Sequence, residues 1–377
     1  MNRRERLMAT LRGETVDRPA VSFYEINGLD ENPDDNDPFN IYSHRSWMPL
    51  IDLAKEKTDR IVMRGVAYTS IQPDPIESVS ETETFLNEGN RITIRRVRIA
   101  GRILTSRTRR DPDVNTVWTL EHLLKDVDDL KTFLKITLPA SDGIVETEAV
   151  TQAEAALGDT GIVMIDTPDP LCLAASLFHM AEYTVIAMTE QSLFHQLLER
   201  FASSLLPKTE AVARALPGRL WRIFGPEYAS PPYLPPQLFQ EYVCRYVKPM
   251  VEAIQRYGGY ARIHSHGNLK AILDDIATMG ADGLDPIEPP PQGDVELAYV
   301  RQRYGKDLVL FGNLEASDIE NLPTEQFSEK IKRALAEGTA GSGRGFVLMP
   351  SACPYGRELS PLALRNYEKM IEIVEGY

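Results

Sequence analysis

Cysteine is scarce in this chain: Cys172, Cys244 and Cys353 are the three thiols in 377 residues, an odd number at spacings that form no framework. Disulfides are therefore excluded as the basis of the fold, and free thiols in a reducing compartment are expected. Long apolar runs are missing as well. No stretch approaches the ~20 residues that span a bilayer. The opening MNRRERLMATLRGETVDRP carries charges every few residues where a secretory signal needs an apolar centre. The chain is thus expected to be soluble and cytoplasmic. Positive charge is in deficit, with 41 Lys and Arg against 55 Asp and Glu and a formal charge of -14. Such a field repels nucleic acid and anionic membranes, so neither is expected as a partner.

What is present has a clear rhythm. Residues Arg3 to Arg12 place Leu7, Met8 and Leu11 on one face of a helix that Gly13 and Pro19 end, and the apolar run from Ala20 to Tyr24 reads as a first strand. The acidic segment ENPDDNDP at 31 to 38 reads as a solvated loop, with no metal site assigned to it. Residues 78–112 alternate β-branched and polar residues around Glu88-Gly89-Asn90 and Ala100-Gly101, which predicts a small antiparallel β-hairpin insertion whose arginines face solvent. From about residue 117 onward short apolar strands alternate with helical stretches. GIVMID at 161, LWRIFG at 220, YARIHS at 260, DGLDPI at 282, LVLFGN at 308 and GFVLMPS at 345 recur at intervals that suit βα units. The expected fold is α/β: one (β/α)₈ TIM-barrel domain over 1–377, with an N-terminal extension and the β insertion.

In a parallel barrel the residues just past the C-terminal ends of the strands converge on one mouth, so polar residues there are the catalytic candidates. Glu227 follows the 220 strand, His264 and His266 end the 260 strand, Asp285 and Glu288 end the 282 strand, Asn313 and Glu315 end the 308 strand, and Cys353 follows the last. Two histidines two apart on an extended chain point to one face, within reach of one ion. Zinc takes three or four N, S or O donors, so Glu227 and Cys353 are chemically suitable completions of a set begun by His264 and His266. Gly267 is expected to let the backbone approach a ligand closely and to aim amide N–H groups into the mouth. Cys172 and Cys244 read as packing residues on helices away from the mouth, and His44, His122, His179 and His195 have no ligand partners near them in sequence.

These blocks resemble the uroporphyrinogen decarboxylase superfamily along essentially the whole chain. The resemblance rests on RRERLMATLRGETVDRPAV at the start, on the block from FGPEYASPPYLPP through YARIHSHGN to DGLDPIEP, and on YGKDLVLFGNLE with CPYGRELSPLALRNYEKMIEIV at the end. The porphyrin decarboxylases of that group carry an arginine-rich RQAGR motif after the first strand; the matching stretch here is SFYEINGL, with Glu25 where positive charge is needed to grip an acidic tetrapyrrole. Glu25 and Asn27 are instead expected beside the substrate, as are Asp285, Glu288, Asn313 and Glu315.

The resemblance to the corrinoid-dependent methyltransferases lies in their zinc motif, His-x-Cys on one strand and a Cys near the end. His264 matches the first position and Cys353 the last, while His266 departs from the middle one. An imidazole in place of a thiolate leaves more positive charge on the ion, which suits polarising a leaving oxygen. The resemblance thus implies a zinc-dependent methyltransferase acting between a small methoxylated or methylamino compound and a corrinoid carried on a separate protein, since no DxHxxG-type cobalamin motif is present. It also implies a homodimer. The competing enzyme is a metal-independent decarboxylase of another acid, with the histidines and Asp285 as proton donors. A non-enzymatic sensor is a third reading, disfavoured by so many ionisable groups at one mouth.

Overall fold

The computed structural model describes residues 1–31, 35, 37–70, 74–138 and 143–377, so the acidic run at 31 to 38 lies in part outside the described residues. In chain order the strands are β1 (Ala20–Val21), β2 (Arg60–Arg64), β3 (Ala67–Ser70), β4 (Ser80–Asn87), β5 (Asn90–Ile99), β6 (Arg102–Arg110), β7 (Val117–Glu121), β8 (Gly143–Glu146), β9 (Gly161–Pro168), β10 (Leu220–Phe224), β11 (Tyr260–Ser265), β12 (Gly283–Pro286), β13 (Val309–Leu314) and β14 (Phe346–Pro350). Eight of them form one sheet in the order β1-β14-β13-β12-β11-β10-β9-β2, every pair parallel. Helices on the connections cover its outer face, as parallel strands buried on both sides require. This is the α/β barrel.

The sheet comes close to closing between β1 and β2, and Asp59 makes the join. Its amide donates to the Val21 carbonyl at 2.7 Å, while its carboxylate accepts from the Val21 amide at 2.9 Å. Arg6 and Arg18 balance that buried charge at 2.5 and 2.9 Å. Arg6 belongs to the helix Arg3–Arg12, which starts at a capping box of Asn2 and Glu5 and ends at Gly13, where φ is 71°. Leu7 and Leu11 of this helix pack with Ala20, Ile61, Met164, Leu220, Val309, Phe311, Val347 and Met349 in the cluster that fills the barrel. A larger cluster lies between strands and helices.

The insertion is larger than a hairpin. β4 to β7 form a four-stranded antiparallel sheet, so the strand at Val117–Glu121 belongs to it and the βα rhythm starts later than expected. Val97, Ile99 and Leu104 bury one part of it. Several of its arginines form surface ion pairs, among them Arg91 with Asp37, Arg95 with Glu77 and Arg102 with Asp129. Among the described residues no helix is long and apolar enough to cross a membrane.

Candidate active site

β1 keeps its ladder for two residues only, after which Tyr24–Glu31 turns as a 3₁₀ segment over the C-terminal end of the barrel. Opposite it, β10 is followed by Gly225, whose φ of 118° and close packing leave no room for a side chain: a Cβ there would stand 2.4 Å from Cys172 Cβ and 2.5 Å from Asp169 Oδ1. The turn presents Glu227, whose Oε2 accepts from the Gly225 amide at 3.1 Å. Cys172 therefore sits behind this turn, closer to the mouth than its helical context suggests, and its thiol is pushed up by burial and by the charge of Asp169. Between these elements lies a cavity of about 330 Å³ lined by Tyr24, Glu25, Tyr42, Arg222, Phe224, Glu227, His264, His266, Cys353 and Tyr355 among others.

The two histidines are held from behind. His264 and Asp285 are register partners on β11 and β12, and their side chains meet at 2.7 Å between Nδ1 and Oδ2. His266 meets Glu288 in the same way, 2.8 Å from Nδ1 to Oε1. The rings stand 4.7 Å apart at 89° to one another. Each imidazole thus has its Nδ1 engaged by a carboxylate, the arrangement that fixes tautomer and orientation in histidines that ligate metals. Burial alone would lower the His266 pKa, but the hydrogen bond and charge of Glu288 prevail and raise it. Glu288 also accepts from the Gly267 amide at 2.7 Å, so that N–H, expected to face a ligand, is spent on orienting the carboxylate instead.

Beneath the histidines runs a charged layer. Asp166, Arg222 and Arg262 are register partners across β9, β10 and β11, side by side inside a barrel whose interior layers are normally aliphatic. Arg222 binds Asp166 through two bonds of 2.6 and 3.1 Å and donates to the Tyr24 hydroxyl. Arg262 is buried with its Nε 2.8 Å from Asp285 Oδ1, at an angle that makes an ion pair without a hydrogen bond, and its guanidinium lies 4.8 Å from the Phe311 ring centre. Burial pushes the Asp285 pKa up, yet Arg262 and His264 outweigh it and hold the carboxyl below its ordinary value. Asp285 is thus an ionised strut, unsuited to donating a proton.

The remaining expected residues are dispersed. Cys353 is on the cavity wall, its thiol pushed up by burial, with the Tyr42 hydroxyl donating to Sγ at 3.6 Å and the Asn115 amide donating to that hydroxyl at 2.9 Å. Glu25 is on the wall too, raised by burial, and forms no hydrogen bond or ion pair with the described residues. Asn27 is buried elsewhere, donating to Ser22 and accepting from Thr58. Asn313 and Glu315 line a separate small space of about 70 Å³ with Lys330 and Arg333. There Glu315 accepts from Ser351 at 3.2 Å, and burial and the charge of Glu288 push it up to about 7. The donor set of two imidazoles, a thiol and a carboxylate suits zinc in its chemistry, and the imidazole pair is already oriented. Among the described residues, however, no three of the His, Cys, Asp and Glu side chains are gathered closely enough to hold an ion.

Arg222 and Arg262 went unnoticed in the sequence, as did Tyr42 and Asn115. The arginines had a signal: each is the lone charge at the centre of an apolar strand, in WRIF and ARIH. Tyr42 and Asn115 come from distant loops with no pattern of their own.

A parallel barrel that brings imidazoles, carboxylates and a thiol to its C-terminal mouth has the layout of a barrel enzyme. The family model of uroporphyrinogen decarboxylase (URO-D) matches residues 119–376, and the chain belongs to this family. Its fold is shared by a methyltransferase from Methanosarcina mazei, 16% identical, with 100% of this chain and 99% of that one covered at a TM-score of 0.63. A D-psicose 3-epimerase solved in the presence of D-fructose aligns over 61% of this chain and 91% of its own at 9% identity, with a TM-score of 0.29, too low to bear on the fold. No curated protein matches the chain in sequence.

Proposed function

We propose that this protein is a methyltransferase that moves a methyl group between a small methylated compound and a corrinoid carried on a separate protein, with zinc at the imidazole pair. The observation that carries the reading is the pairing itself: two rings 4.7 Å apart, each with Nδ1 on a carboxylate and Nε2 left for the cavity. His264 and His266 would hold the ion, with Cys353 and Glu227 as the donors nearest in chemistry, and the ion would supply Lewis acidity to the heteroatom that gives or takes the methyl group. Asp285 and Glu288 orient the imidazoles and add to their basicity. A cavity of about 330 Å³ sits at the low end of ligand pockets, which run from roughly 300 to 1,000 Å³, and so favours a small substrate over a tetrapyrrole. Glu25 on its wall disfavours an acidic one. The full-length likeness in fold to a methyltransferase points the same way.

A metal-free decarboxylase is the second reading. It is favoured by the third donor not being gathered among the described residues, and by His266, whose proton Glu288 stabilises for delivery to a carbanion. Elemental analysis of protein purified without added metal or chelator separates the two. Near one zinc per chain, lost in both His264→Ala and His266→Ala, is the expected result. Protein that stays metal-free after zinc is supplied rules out the zinc methyltransferase and leaves the decarboxylase.

A further inference from the structure

Glu25 is the carboxylate of this cavity that has no direct partner among the described residues, Arg222 and His264 acting on it only at a distance. It lies beside Tyr24 at the wall and has no hydrogen bond or ion pair with the described residues. Glu25 is half-buried, and a carboxylate that faces a cavity without a hydrogen-bond partner of its own has its acceptor sites open to whatever the cavity holds. The nearby cations are committed. Arg222 is held by both oxygens of Asp166 and by Tyr24, Arg262 lies against Asp285, and the imidazoles rest on Asp285 and Glu288. A divalent ion held by a Cys353 thiolate and Glu227 would be neutralised by those two, so Glu25 lacks a direct partner with that ion or without it.

The rest of the wall says what kind of group would answer it. Tyr24, Tyr42, Phe224 and Tyr355 line the same space; the Arg222 guanidinium already lies against Tyr24 and Phe224, at 5.6 and 5.2 Å from their ring centres, which leaves Tyr42 and Tyr355 as the rings not engaged by a cation among the described residues. Aromatic faces are negative at their centres and attract a cation whose charge is spread over methyl groups, while a carboxylate supplies the counter-charge. A neutral methyl ether offers Glu25 nothing, and a carboxylate-bearing substrate would meet repulsion.

We infer that the cavity selects small N-methylated ammonium compounds, with Glu25 as counter-ion and the rings of Tyr42 and Tyr355 against the methyl groups. Calling such a compound the substrate rests on the methyl-transfer reading; its binding does not.

The test is calorimetric titration of the full-length protein, metal-stripped and zinc-supplemented, with choline and with 3,3-dimethylbutan-1-ol, which has carbon in place of the charged nitrogen at nearly the same shape. Choline is expected to bind at least tenfold more tightly in both metal states, and Glu25→Gln to remove that preference without weakening the neutral isostere. Equal affinity of the two ligands for the wild-type protein would overturn the inference even if the variant failed to fold. So would a preference that survives in a folded Glu25→Gln. Incubation with cob(I)alamin then separates the two proposals. Cation preference with no methyl transfer from choline, tetramethylammonium or trimethylamine overturns the transfer reading and leaves this one standing; transfer from neutral methyl ethers with no cation preference does the reverse.

Discussion

Replacing Asp285 by Asn should cost far more stability than one hydrogen bond is worth. Asp285 is 0% exposed and Arg262 1%, and the carboxylate is the one ion-paired with that guanidinium among the described residues, Asp166 acting on it from farther away. Removing one partner of a buried pair leaves the other charge uncompensated, at a cost of about 3–5 kcal/mol, a large part of the 5–15 kcal/mol or so that typically separates folded from unfolded chains. The carboxyl is held below its ordinary value in the folded protein, so its contribution is fully present above the unfolded pKa of ~3.9 and is lost as pH falls through the lower folded value. At pH 7 the whole effect is therefore visible. Arg262→Met with Asp285→Asn removes both charges, and because buried pairs replaced by apolar or neutral groups are often tolerated, the double variant should recover most of the loss. Urea unfolding at pH 7 of the two single variants and the double variant closes the cycle. An Asp285→Asn loss under about 1 kcal/mol, or single losses that simply add, would refute the claim that this pair is a coupled strut.

Two further outcomes concern Glu315, in the small space beside the cavity, and Cys353, on the cavity wall. Glu315, pushed up to about 7, is protonated more readily folded than unfolded, so it weakens the fold as pH rises from about 4.3 towards 7. Glu315→Gln should raise stability at pH 8 by on the order of 2 kcal/mol and leave it nearly unchanged at pH 4.5; thermal melts with the same pH dependence in both proteins would contradict this. Cys353, with its thiol pushed up by burial, should react with Ellman's reagent at pH 8 roughly tenfold or more slowly than a free thiol in metal-free folded protein, with Cys353→Ser assigning the signal. Fast modification would show the thiol to be open and ionisable.

The barrel was legible because its strands are written as apolar runs: the segments read at 161, 220, 260, 282, 308 and 345 begin within a residue of β9 to β14. β2 was not, because RIVMR is short and flanked by arginine at both ends, whereas the apolar run from Ala20 to Tyr24 did mark β1, although the ladder takes only its first two residues. For the site, position past a strand end sufficed to bring His264, His266, Glu227 and Cys353 to one cavity. Position alone does not say which way a side chain turns. Asp285 and Glu288 face the histidines, while Asn313 and Glu315 lie in another space. The partnership of Tyr42 with Cys353 spans 311 residues of sequence, a distance over which no local pattern carries information.

The brevity of β1 bears on how such a pocket can change over evolution. Because β1 ends at Val21, the turn that carries Tyr24 and Glu25 overhangs the pocket held by side-chain bonds, such as those of Tyr24 and Asn27, and not by a strand ladder. Drift or grafting in that overhang can exchange the group that greets a substrate while the register of the eight strands stays as it is. A lineage in which this turn carries arginines and one in which it carries a glutamate would thus differ by the rewriting of a few residues, with acidic and cationic ligands trading places over an otherwise inherited scaffold.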